Sequence, residues 1–264
     1  MTVVSGGLFA AIGLALTWHV VARGVSKGEL PMADEGPLSA VKAVVVRIDP
    51  ARVRFALDSA TRDYGLRGAW TVDSVPDAAV VAFNAGQFVG GIPWGWVVQD
   101  GIERKPPGSG TLGMAFVVDS AGMASLVMPD EIPAIRPAAR LAFQSYPALL
   151  DAGELPWELR SAGRGVNLGH RDSRLAICTT ADGTVMIALT RFAGLGAAGQ
   201  TVPWGPTVPE MAGFMKSLGC RDAMLLDGGI SSQLALRGTD GRVQRWSNWR
   251  PVPLALVAFP GTGE

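Results

Sequence analysis

Short apolar runs, broken by glycine, proline and Asp-Gly pairs, set the pattern of this chain. Val41 to Pro50 is rich in β-branched residues and ends at a proline. Arg52 to Leu57 starts by alternating polar and apolar positions, the period-two mark of a strand with one solvated face. Ala79 to Phe83 and Ala223 to Leu226 are short and wholly apolar, as buried strands are. Gly95 to Gly101 reads as a strand ending in an Asp-Gly turn, and Met114 to Asp119 as another, turned by Ser120-Ala121-Gly122. The clearest hairpin is Leu175 to Thr180 and Val185 to Thr190 around Ala181-Asp182-Gly183. Leu234 to Arg237 and Leu254 to Phe259 close the series, and Trp18 to Val25 reads as a strand near its start.

One stretch has a clear helical period. Met211, Phe214, Met215 and Leu218 fall on one face. Thr207 is placed as an N-cap with Glu210 three residues on, a capping box, and Pro209 lies in the first turn, where it is tolerated. Gly219 ends the helix. Thr71 to Ala79 reads as a short helix or turn containing Pro76, and residues 129–165 as loops with a small helix, Ala138 to Leu150 being the one periodic part. Strands come in clusters with few helices between them. The expected fold is therefore α+β: a mixed, mostly antiparallel sheet with few helices packed on it, forming a single domain over residues 18–264.

Residues 1–17 stand apart. The run Gly6 to Leu16 is apolar, and no Asp, Glu, Lys or Arg lies between Val3 and Ala22. It reads as a signal or membrane anchor, or else as a buried N-terminal element. No basic residue precedes it and no sharp small-residue cleavage site follows. A full span of about 20 residues would have to take in Thr17, Trp18 and His19.

Composition narrows the class. Of the 264 residues 48% are hydrophobic and 17% charged, which excludes general disorder. The 34 glycines and 18 prolines follow no fixed period and read as turns. Basic and acidic residues balance at 23 each, so a nucleic-acid footprint is absent at the level of the whole chain. Cys178 and Cys220 lack metal-ligand spacing. The simpler reading is two small buried hydrophobes, with one disulfide as the alternative in an oxidising compartment.

Four segments carry candidate chemistry. A buried strand runs into Asp227-Gly228-Gly229-Ile230-Ser231-Ser232, where glycines permit close backbone approach and the acid is placed to bind hydroxyls or move a proton. A tight turn capped by its own carboxylate explains the same residues. His170, Arg171 and Arg174 make a small cationic patch, and an arginine fork matches phosphate geometry; charge pairing with Asp172 on a surface strand is the plainer account. Asn84 leaves a buried strand with a carboxamide that suits a sugar or phosphate, or a turn. The capping box alone explains Thr207 and Glu210. Gly108 to Gly113 lacks the Lys-Ser/Thr of a phosphate loop and precedes a strand. There is no G-x-S-x-G elbow.

In order along the chain, these segments resemble the phosphodiester glycosidase family. The resemblance rests on the strand pair around Val44 to Leu57, Asn84-Ala85-Gly86-Gln87-Phe88, Ser173 to Ile177 before the Asp182-Gly183 hairpin, Gly205 to Glu210, and Leu226-Asp227-Gly228-Gly229-x-Ser231. It covers roughly residues 18–260. The family's Arg-Thr-Ala-x-Gly reads here as Arg174-Leu175-Ala176-Ile177-Cys178, and Ile230 stands where a third glycine is usual. The resemblance implies release of a sugar from a sugar-1-phosphodiester in an envelope or exported glycan, outside the cytoplasm. It implies Asp227, Glu210 and Arg174 as catalytic groups. Asn84, His170, Arg171, Thr207, Gly228, Gly229, Ser231 and Ser232 would bind substrate. No cofactor and no nucleic-acid partner are expected; a divalent metal and an N-terminal membrane tether are left open. The alternative is a non-catalytic glycan- or phosphate-binding module on the same fold, and a third reading is a transferase.

Overall fold

The computed structural model describes residues 16–59, 70–160, 165–194 and 201–261, so the candidate signal or anchor at residues 1–17 lies almost wholly outside the described residues. Among the described residues, three large antiparallel sheets enclose the main core, beside a two-stranded ribbon of Phe88–Val89 and Ile92–Pro93. The largest has seven strands in the order His19–Ala22, Val25–Pro31, Val41–Ile48, Val185–Phe192, Leu175–Thr180, Cys220–Leu225 and Ala148–Leu150. A five-stranded sheet orders Val243–Trp246, Leu234–Arg237, Val81–Asn84, Leu254–Pro260 and Val53–Ser59. The other orders Ala124–Val127, Met114–Asp119, Ala139–Ser145, Val97–Gln99 and Ile102–Lys105. Phe116 shows how they meet: its ring lies 5.6 Å from Phe55 of one sheet and 5.5 Å from Phe143 of its own, within the cluster that also buries Ile177, Ile187, Phe83 and Leu256.

The outer face of the seven-stranded sheet is covered by the Val208–Ser217 helix. Met211, Phe214 and Met215 pack there against Val45, Ala176, Ala188 and Ala223. This strip explains why Leu175 to Cys178 is apolar without alternation: both faces are buried. The capping box forms as read, with Thr207 Oγ1 accepting from the Glu210 amide and Glu210 accepting from the Thr207 amide. The hairpin forms with register Leu175↔Leu189 through Thr179↔Val185. At the Asp100-Gly101 turn both residues take positive φ, 54° and 76°, the type I′ combination that suits a two-residue hairpin loop.

Two expectations are corrected. Residues 129–165 are more than loops with a small helix: the periodic part forms the Ala139–Ser145 and Ala148–Leu150 strands. Ala139–Ser145 is central in its sheet and buried on both faces except at Arg140, so its apolar residues carry no strand alternation to read. The short helices of this region are Ile132–Ile135 and Trp157–Arg160. The cysteines are buried as read but are not free: Cys178 and Cys220 form a disulfide between neighbouring strands, with Cα atoms 5.8 Å apart. Strand adjacency, absent from the linear spacing, brings them together.

Candidate active site

Three chain segments leave the sheets at one end and are tied to one another by backbone hydrogen bonds. The Leu226 amide donates to Leu175 O (2.8 Å), Asp227 N–H to Gly86 O (2.9 Å), and Gly229 N–H to Ser173 O (2.8 Å). Asn84, fully buried, joins them: its Nδ2 donates to Asp227 O (2.8 Å) and its Oδ1 accepts from Gln233 N–H (2.8 Å). Read from the sequence as a substrate ligand, Asn84 has its amide and carbonyl ends both engaged inside the fold. Its place is beneath Asp227.

The three segments surround a cavity of about 260 Å³. Asp227, Asp172, Arg174 and His170 line it, together with Gln87 and Tyr146. Burial pushes the Asp227 carboxyl above the ordinary carboxylate range, against the hydrogen bond from Ser231 and the charge of Arg250; the nearby Asp172 adds to the rise. Burial likewise raises Asp172, opposed by Arg174, the Ser173 amide and His170. The Arg174 guanidinium is lowered by burial, with Asp172 pulling the other way. It is held by Nε to Pro206 O (3.1 Å) and by one terminal nitrogen to His170 O (2.6 Å). His170 Nε2 stands 3.7 Å from Asp172 Oδ2, with its side chain 60% exposed.

Asp172 is the group that the sequence reading missed as a site residue. There it served only as a charge partner for the arginines. The available signal was an acid set between two arginines immediately before a buried strand.

Glu210 is arranged differently. It is not among the cavity-lining residues. Arg171 grips it with two parallel bonds of 2.8 Å, and the Thr207 amide takes Oε2 at 2.8 Å. Burial pushes its carboxyl up, but Arg171 and Thr207 outweigh that and hold it below the ordinary range. Arg171, Thr207 and Glu210 thus form one clamp at the helix start, beside the cavity.

The Gly228–Ser232 loop divides its tasks. Gly229, at φ +57°, begins a single 3₁₀ turn, Gly229–Ser231. A Cβ at Gly228 would stand 2.7 Å from Ser173 O. Ser231 bonds the Asp227 carboxylate. Ser232, fully buried, donates to Gly229 O (2.9 Å), as does Asn248 Nδ2 (2.7 Å). Beneath them Arg191 bonds Ser232 O (3.0 Å) and Trp246 O (3.1 Å), and burial lowers it to about 10. Trp96 and Trp246 are core anchors, whereas Trp204 and Trp249 are exposed. Among the described residues no three His, Cys, Asp or Glu side chains gather as a metal would require.

The phosphodiester glycosidase family model matches residues 77–259, well over half of the chain. The fold is similar to a zebrafish N-acetylglucosamine-1-phosphodiester alpha-N-acetylglucosaminidase catalytic domain auto-inhibited by its pro-peptide. That match has a TM-score of 0.67 and 18% identity over 90% of this chain and 82% of that one. It is also similar to a hypothetical protein from Synechocystis (TM-score 0.60, 16% identity, 90% of this chain and 62% of that one). A third match is a putative exported protein from Burkholderia pseudomallei K96243 (TM-score 0.52, 16% identity, 83% and 74%). No curated protein matches the chain by sequence. The solved structures establish likeness of fold, and the family model establishes membership: this chain belongs to the phosphodiester glycosidase family.

Proposed function

We propose that this protein is a hydrolase that releases a sugar from a sugar-1-phosphodiester by breaking the C1–O bond. The observation that carries the reading is the shared cavity: a partly buried arginine and a partly buried aspartate whose carboxyl is raised both line it. A departing phosphate monoester needs a cation for its growing charge more than it needs a strong acid. Arg174 supplies that cation, with His170 beside it. Asp227 is the base for water at the anomeric carbon, held by Asn84 and the Gly228–Ser232 loop. The Arg171–Glu210 clamp fixes the His170–Arg174 segment to the helix start.

The substrate is a phosphodiester-linked glycan outside the cytoplasm. The Cys178–Cys220 disulfide supports that location, since such bonds persist in oxidising compartments, and so does the fold neighbour described as a putative exported protein. Among the described residues no helix is long and apolar enough to cross a membrane.

The test is hydrolysis of a panel of sugar-1-phosphodiesters by the wild type, Asp227→Asn and Arg174→Ala. Free sugar from the wild type, lost in both folded variants, supports the reading. Glycan binding without turnover, surviving both substitutions, assigns the cavity to a binding module instead.

A further inference from the structure

Building on the glycosidase reading, we propose that Asp172 is the second catalytic carboxylate, donating a proton to the departing phosphate oxygen while Asp227 takes one from the attacking water.

The backbone closes on Asp172 at two places, on its carboxylate at Gly229 and on its backbone carbonyl at Gly205. A Cβ at Gly229 would stand 2.7 Å from Asp172 Oδ2 and 3.1 Å from Oδ1, and a Cβ at Gly205 would stand 2.4 Å from Asp172 O. The loop carrying Asp227 and the segment entering the helix therefore both close on Asp172 through glycines. Glu210 has no such place, since both its oxygens are held by the clamp. Asp172 Oδ1 accepts from Ser173 N–H at 2.8 Å, and Oδ2 lies 3.7 Å from His170 Nε2.

The two acids divide the cavity. Asp172 shares its segment with His170 and with Arg174, the cation assigned to the phosphate. Asp227 is carried by the loop and has Ser231 and Arg250 acting on it. A phosphodiester is an anion, and two ionised carboxylates in one small cavity repel it. A proton on one of them turns a repelling group into a donor. Burial raises the Asp172 carboxyl in the direction this requires. The titratable and charged groups facing it are His170 and Arg174 from its own segment and Asp227 from the loop; Arg171 and Glu210 pair with each other.

The step balances. The C1–O bond breaks and its electron pair stays on the phosphate oxygen, which receives the Asp172 proton. The water oxygen bonds C1, and its surplus proton passes to Asp227. The products are the free sugar and a phosphate monoester; exchange with solvent resets both carboxyls.

The test compares two leaving groups on one sugar. One substrate is the sugar-1-phosphodiester that the wild type cleaves best; the other is the 1-fluoride of the same sugar, whose fluoride departs without a proton. Asp172→Asn is expected to lose about a hundredfold in kcat on the phosphodiester and to stay within about fivefold on the fluoride. Asp227→Asn is expected to fail on both. The wild-type kcat on the phosphodiester should fall toward alkaline pH, and the Asp172→Asn profile should be flat there. Thermal melting checks that the variants fold, with Asp172→Ala as a second replacement. Equal losses on the two substrates, or an Asp172→Asn enzyme that keeps the wild-type kcat and alkaline limb, overturn the assignment. A wild type that cleaves no sugar-1-phosphodiester overturns the glycosidase reading itself.

Discussion

The two ends of the Leu175–Thr180 and Val185–Phe192 hairpin carry two concave surfaces, and the wider one is the less suited to chemistry. At the turn end lies a groove of about 750 Å³, lined by Asp49, Asp100, Asp119, Asp182, Arg54 and Arg140 among others. At the open end lies the cavity of about 260 Å³ with Asp172, Asp227 and Arg174. The groove's acids serve their own turns. Asp49 accepts from Ala51 N–H and pairs with Arg52; Asp119 caps Ala121 and Met123; Asp182 takes the Thr180 hydroxyl and the Thr184 amide. Those bonds hold the Asp182 carboxyl below its ordinary range, Thr180 contributing most. In the smaller cavity burial raises both carboxyls instead. Opposite shifts on the same residue type separate acids that stabilise the fold from acids held at a cost to it, and the latter mark a site.

The largest break in this comparison is Asp227→Asn. Turnover is expected to fall on the order of ten-thousandfold, about 5 kcal/mol of barrier. The fold should respond in the opposite direction. A carboxyl raised in the folded state disfavours folding once pH climbs above the unfolded carboxyl's value, so the penalty is present at neutral pH and vanishes in acid. Asp227→Asn should therefore melt above wild type at neutral pH, with the gap closing as pH falls through the ordinary carboxylate range. Thermal melts over pH check it.

Next is the disulfide. Its partners are 42 residues apart, and in the chain-entropy account opening that loop costs about 4 kcal/mol. The Cys178→Ala/Cys220→Ala protein should unfold at correspondingly lower denaturant while its remaining folded fraction keeps wild-type kcat, because neither cysteine lines the cavity.

Gly229→Ala comes third. It adds a Cβ against the Asp172 carboxylate at a positive φ, for about 2 kcal/mol of stability, and it should cut kcat by displacing Asp172. Thr207→Ala removes a helix cap and should cost about 1 kcal/mol, read as a shift in denaturation midpoint. The smallest effect is expected in the groove. Asp119→Asn should change stability by less than about 1 kcal/mol and leave turnover at the wild-type rate.

What the sequence disclosed follows from where its physics is local. The Asp182-Gly183 turn and the Thr207–Glu210 cap depend on neighbours within a few residues, and both formed as read. The Leu226-Asp227-Gly228-Gly229 exit was legible as a buried strand ending in a polar loop. The Ala139–Ser145 strand was not, because a strand buried on both faces loses its alternation. Asp172 was not, because the Gly229 loop that closes on its carboxylate is far away in sequence. Asn84 and Ser232 look like ligands in the chain, whereas in the fold their side chains hydrogen-bond to neighbouring backbone.

The most direct test of the central claim is the fate of the attacking oxygen. Wild-type protein is incubated with its best sugar-1-phosphodiester in water enriched in oxygen-18, and both products are weighed by mass spectrometry before exchange at the sugar's C1 hydroxyl proceeds. Attack at the anomeric carbon, with Asp227 as base, predicts the label in the sugar and an unlabelled phosphate monoester. Label in the phosphate would show that the P–O bond breaks, and would contradict the account.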